Sequence, residues 1–201
     1  NINILATMDG SSSFSTGREL NNFSIFCVDG LIKDIIPSDE KHIDSDIIIN
    51  ASNHIVLPGL INTHHHLFQT LTKAVKLAQN ANLFDWLKSL YPIWGKMTPL
   101  HLKSAVSIGF SELILSGCTT TSDHLYIFPN GIILEDEIEV AKDLGIRFHA
   151  TRGSMSVGES LGGLPPDFLV EREDSILSDS LRVIETWNDS EHNSMLRIAL
   201  A

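Results

Sequence analysis

Leu57-Pro58-Gly59-Leu60-Ile61-Asn62-Thr63-His64-His65-His66 is the stretch around which the chain is organised. An apolar run beginning near His54 is broken by Pro58-Gly59, resumes briefly, and ends in three histidines. Short apolar runs bounded by turn residues predict a buried strand. Side chains alternate along a strand, so His64 and His66 share one face and His65 takes the other. Two imidazoles on one face at the end of a core strand make half of a metal site. A terminal tag would not follow a core strand.

Upstream, residues 1–57 read as a small β module. Phe23–Val28, the turn Asp29-Gly30 and Leu31–Ile36 predict a hairpin. Asp46–Asn50 and Asn1–Met8 are expected as further strands, with a polar loop over 11–16. Such a sheet is too thin to be stable alone. Downstream, residues 58–201 alternate between strands and helices. Helices are expected over Phe68–Leu77, Leu83–Leu90, from Thr98-Pro99 to Gly117, Glu135–Leu144 and Asp174–Trp187. Leu177, Leu181 and Ile184 form the apolar stripe of the last of these. Strands are expected at 118–122, 146–152 and 195–201. This order predicts an α/β fold with a parallel sheet and right-handed crossovers. A (β/α)8 barrel needs about 250 residues. The chain therefore reads as the first half of a TIM-like barrel behind an N-terminal β-sandwich module, and as a piece of a longer protein.

The bulk properties exclude several classes. With 43% hydrophobic and 19% charged residues the chain is globular. A net charge of −11 argues against nucleic-acid or anionic-membrane partners. Cys27 and Cys118 are too few and too separated for a disulfide framework. No leader or apolar span stands out, so a cytoplasmic protein is expected. No Pro-Cys-x-x-Cys, phosphate-binding glycine loop or His-Glu-x-x-His is present.

Barrel chemistry gathers at the C-terminal ends of the strands. His64, His66, His124, Tyr126 and Arg152 fall there. Gln69 is either a substrate contact or a solvent-facing residue. His124 and Tyr126 either touch substrate or pack. Arg152 either offers a planar donor fork to a ring carbonyl or forms a structural salt bridge, and its strand-end position favours the substrate contact. Trp86 and Trp94 either stack on a heterocycle or, as aromatics at helical spacing more often do, pack in the core; of the two, Trp94 is preferred for stacking. His149 is expected to be structural, and His42, His54, His101 and His192 to lie at the surface or at strand starts. Two histidines are fewer than a catalytic zinc takes. The other ligands, and the general acid and base, are therefore expected beyond Ala201, with no catalytic acid or base in this chain.

The nine residues Pro58–His66, together with Leu67-Phe68-Gln69-Thr70-Leu71-Thr72, Leu83-Phe84-Asp85-Trp86-Leu87, Leu90-Tyr91-Pro92-Ile93-Trp94, Ser116–Thr120, Asp123-His124-Leu125-Tyr126 and His149–Ser156, carry a family likeness. The chain resembles the metal-dependent amidohydrolase superfamily, and within it the 8-oxoguanine deaminase and hydroxydechloroatrazine ethylaminohydrolase group. The resemblance implies one divalent metal, usually zinc with iron as the alternative, ligated by His64 and His66. It implies hydrolytic deamination of an oxidised purine or related heterocycle by a metal-activated water. The alternatives are a triazine-type amino- or chlorohydrolase, another amidohydrolase, or a non-catalytic fragment. The expected partners are a small heterocyclic substrate and, in the full-length protein, further copies of itself as a homo-oligomer.

Overall fold

The computed structural model describes residues 1–10, 17–39 and 44–201. The loop expected over 11–16 and His42 lie outside them. Two compact units follow one another along the chain, Asn1–Gly59 and Leu60–Ala201.

The first unit is a four-stranded sheet in the order β3-β2-β1-β4. Its strands are β1 (Ile2–Ala6), β2 (Glu19–Val28), β3 (Leu31–Pro37) and β4 (Ala51–Val56). The β2–β3 hairpin closes on Asp29 and Gly30, both with positive φ (51° and 76°), the backbone that a two-residue turn between twisted strands requires. The strand expected at Asp46–Asn50 is displaced. Ile47, Ile48 and Ile49 are exposed and belong to no strand, and the parallel partner of β1 is β4. Their apolar, β-branched run looked like a strand, but pairing is decided by which segment meets the free edge of β1.

The second unit is a parallel sheet in the order β5-β6-β7-β8. Its strands are β5 (Leu60–Asn62), β6 (Cys118–Leu125), β7 (Arg147–Arg152) and β8 (Leu196–Leu200). The helices are α1 (Leu83–Trp94), α2 (Pro99–Leu115), α3 (Glu135–Leu144) and α4 (Glu173–Trp187). At the start of α2, the Thr98 N–H donates to His101 Nδ1 at 3.2 Å and Pro99 takes the first helical position. α3 ends on Gly145 in the left-handed conformation (φ 73°). No described helix is long and apolar enough to cross a membrane.

The core of this unit lies between the sheet and its helices. Phe68, Trp94, Leu102, Phe110, Leu125, Ile138 and Phe148 are all essentially fully buried. Each such side chain contributes roughly 1.5–3 kcal/mol through burial. The segment expected as a helix over Phe68–Leu77 instead forms two 3-10 turns, Leu67–Thr72 and Lys76–Ala78. Its start is tied to the sheet, as described below, and Trp94 Nε1 donates to Thr72 Oγ1 at 3.0 Å. These tertiary bonds fix a path that a continuous α-helix would not follow. The expected stripe of α4 is also revised. Leu177 and Leu181 are exposed, whereas Ser180 and Val183 are buried.

Candidate metal centre

From Thr121 onward β6 alternates. Thr121, Asp123 and Leu125 are buried, while Ser122 and His124 are only partly so. The buried set faces the helices. His124, and Tyr126 beyond it, take the opposite face. In parallel pairing, residues in register share a face. His124 pairs with Thr151, and Leu125 with Arg152.

The chain leaving β5 is docked on the end of β6. The His124 N–H donates to His65 O at 3.0 Å. The Leu67 N–H donates to Asp123 Oδ1 at 2.6 Å. This places the His66 ring 5.3 Å from that of His124 and 5.4 Å from that of Tyr126. The His64 and His66 rings are 5.2 Å apart and edge to face. His66 Nδ1 lies 2.9 Å from His124 O. A carbonyl only accepts, so Nδ1 carries the proton and Nε2 is left as the donor atom for a metal. His65 turns away, with its Nδ1 3.9 Å from Asp123 Oδ1. Burial, followed by the charge of Lys73, holds its imidazole below the ordinary value.

Among the described residues no three His, Cys, Asp or Glu side chains converge as a metal site. The donor set therefore fits part of a divalent-metal centre: two imidazoles on one side, one of them with its tautomer fixed by a backbone carbonyl. Burial and then the neighbouring His66 and His64 hold the His124 imidazole below its ordinary value. Its ring packs on Gly153, where a Cβ would come within 2.3 Å of Nε2.

A cleft of about 310 Å³ adjoins the pair, lined by all three histidines and by Gln69, Thr70, Thr72, Lys73 and Trp86. Gln69 Nε2 donates to Tyr126 Oη at 3.3 Å. Burial pushes the Tyr126 hydroxyl well up, so it remains a neutral donor. A larger, open recess of about 740 Å³ lies beside Asp167, Glu171 and Arg172. It contains no histidine and is not the candidate.

Two expected substrate contacts are corrected. Trp94 has no exposed surface and packs edge to face on Phe68 at 5.1 Å, so no ring face is free for stacking. Trp86, half-buried, lines the cleft instead. The two lie eight residues apart, within about 80° of each other around the helix, so helical spacing could not choose between them. Arg152 shares the helix-packed face with Leu125 and is 2% exposed. Its guanidinium is taken up by Glu171 at 2.6 Å, Asp179 at 3.1 Å and Gly153 O at 2.7 Å, and lies 4.0 Å over the Phe128 ring. Strand parity aims it away from His124. Asp123 was missed as part of the site. The signal was an acidic residue at a core position of a β-branched strand, where an unpaired carboxyl is rarely tolerated.

Residues 55–200 match the amidohydrolase family. The chain is 48% identical over 154 residues to 8-oxoguanine deaminase of Pseudomonas aeruginosa, covering 76% of this chain and 34% of that protein. It is 30% identical over 159 residues to hydroxydechloroatrazine ethylaminohydrolase of a Pseudomonas species, covering 77% and 33% respectively. The crystal structure of atrazine chlorohydrolase from Arthrobacter aurescens TC1 complexed with zinc superposes with a TM-score of 0.78 at 28% identity, over 99% of this chain and 45% of that one. The chain thus spans about a third of the length of these curated relatives. The match runs from the last strand of the first unit through the histidine pair to β8, and on that ground the chain belongs to the amidohydrolase family.

Proposed function

We propose that the protein carrying this chain removes an exocyclic amino group from an oxidised purine such as 8-oxoguanine by hydrolysis. The observation that carries the reading is the likeness to an 8-oxoguanine deaminase. A match of 154 residues in a chain of 201 necessarily includes His64 and His66. These two residues hold a divalent ion, zinc in this reading and iron in the alternative. When bound, such an ion makes water acidic enough to supply a nucleophile near neutral pH. His66 is oriented for this by the His124 carbonyl. Tyr126 offers a neutral O–H, and Gln69, its amide nitrogen already given to Tyr126, offers a carbonyl oxygen. A heterocycle with adjacent C=O and N–H groups meets both. Trp86 supplies an apolar wall. The remaining ligands and the general acid and base are supplied by parts of the protein outside this chain. The setting is a reducing cytoplasm, which the unpaired Cys27 and Cys118 suit, and the assembled enzyme is a homo-oligomer.

The test is metal analysis of the purified protein together with ammonia release from 8-oxoguanine. One divalent ion per chain and stoichiometric ammonia are expected. Full activity in metal-free protein would sink the reading. The structural likeness to a triazine hydrolase favours a second reading, chloride or amine displacement on a triazine ring. Chloride release from a chlorotriazine, with no ammonia from purines, would select it.

A further inference from the structure

Behind the histidine pair, on the helix-packed face of the sheet, lies a second group of ionisable side chains that the proposed chemistry does not use. Asp123 is 1% exposed on β6, and Glu137 is fully buried in the first turn of α3. One oxygen of Asp123 accepts the Leu67 N–H at 2.6 Å. Among the described residues, its other oxygen and both oxygens of Glu137 receive no hydrogen bond from any N–H or hydroxyl group. Among the described residues, no Lys or Arg forms an ion pair with either carboxyl. The nearby His65 Nδ1 stands 3.9 Å from Asp123 Oδ1, the oxygen that already accepts the Leu67 N–H, and does not reach the other one. Two bare carboxylates in such a place are prohibitively costly. A proton between them is the donor that remains. Burial accordingly pushes Asp123 up to about 7 and, with Asp123 beside it, Glu137 well above the carboxylate range.

The position of this pair gives it a task. The Leu67 amide directly follows His66, and the Leu67 and Phe68 side chains are locked in the core. Three hydrogen bonds tie residues 65–67 to residues 123–124: the Asp123 carboxyl to the Leu67 N–H, the His124 N–H to His65 O, and His66 Nδ1 to His124 O. The first is the only one of the three made by a side chain of β6, and so the only one that a substitution there can remove.

We infer that Asp123 and Glu137 form a carboxyl–carboxylate pair that positions the His64–His66 segment, Asp123 fixing the backbone after His66 and Glu137 holding Asp123 in place. Neither residue touches substrate or metal; both are positioning residues. The inference rests on the proposed metal reading for its functional consequence, though not for the contact itself.

The test uses the whole protein that carries this chain. Glu137→Gln keeps a donor to Asp123 that cannot dissociate, and should leave zinc affinity, measured by chelator competition, close to that of the parent. Glu137→Met removes the donor and should weaken zinc binding about 10–100-fold, the usual consequence of losing a group that orients a ligand. In the metal-free protein, hydrogen exchange at the Leu67 amide should quicken about tenfold or more in Glu137→Met and not in Glu137→Gln, as loss of a hydrogen bond to a charged group implies. If Glu137→Met does not accumulate folded, Asp123→Ala removes the acceptor directly and should show both losses. Val183→Ala, a core truncation on α4, serves as the stability control and should leave zinc affinity unchanged. Parental zinc affinity and Leu67 exchange in the Met variant would overturn the inference, as would an equal loss of affinity in the control. A parent protein that binds no metal but shows the exchange pattern refutes the metal reading and leaves the pair standing.

Discussion

At the scale of single residues, strand parity separates site from scaffold. His124 and Arg152 both lie at the ends of parallel strands, yet their registers put them on opposite faces. Arg152 becomes the centre of a buried ion-pair cluster with Glu171 and Asp179. Replacing it with Met strands the Glu171 carboxylate, whereas Asp179 keeps Arg182 at 2.7 Å. Breaking a buried pair costs about 3–5 kcal/mol. Glu171 and Asp179 keep 24% and 28% of their side-chain surface in water, so the lower end, about 3 kcal/mol, is expected. Denaturant unfolding of Arg152→Met measures it, with KM for the heterocycle unchanged. A raised KM at unchanged stability would return Arg152 to the substrate. His66 shows the opposite case: its neighbour's backbone carbonyl, which no sequence pattern displays, selects its tautomer.

At the scale of elements, α3 opens with three consecutive acids, Glu135, Asp136 and Glu137, which suit the positive end of a helix. The sequence reads them alike, but their partners differ. Glu135 is bound by Arg182 and by Trp187 Nε1 at 3.1 Å, tying α3 to α4. Asp136 accepts the Ile133 N–H at 3.0 Å. Glu137 turns to Asp123. Burial alone would raise the Glu135 carboxyl, but hydrogen bonds from Arg182 and Trp187 outweigh it and hold the group below its ordinary value. Its folded form binds its proton less readily than the unfolded chain does. The stability it lends is therefore present above the unfolded value near 4.5 and lost as pH falls through the folded one. Urea midpoints measured as a function of pH should show this acid limb, and Glu135→Gln should flatten it. An unchanged limb would show that other carboxylates carry it.

At the scale of the molecule, the second unit carries much uncovered apolar surface. Its sheet has β5 and β8 at its edges, and Leu60, Ile61 and Leu200 are 58%, 69% and 52% exposed. Leu115, Leu177 and Leu181 add exposed apolar area on α2 and α4. Open parallel edges and apolar faces of this kind recruit further chains. The 201-residue chain expressed by itself should therefore self-associate, with sedimentation coefficients rising with concentration. A monodisperse 22.2 kDa species at all concentrations would show that these faces are tolerated in water.

The family, the parallel strand–helix order and the histidine pair are legible in the residues alone, because each is written in local pattern: apolar period, turn residues, and a motif whose spacing equals the strand repeat. What each polar side chain meets is set by how distant segments pack. Helical spacing could not separate Trp86 from Trp94, and the strand-end position of Arg152 could not say which face it takes. Nothing local marked Asp123 and Glu137 as partners, fourteen positions apart on a strand and a helix. Burial and hydrogen-bond partners depend on segments distant in sequence coming together, and the cost of an unpaired buried charge then assigns each residue its role.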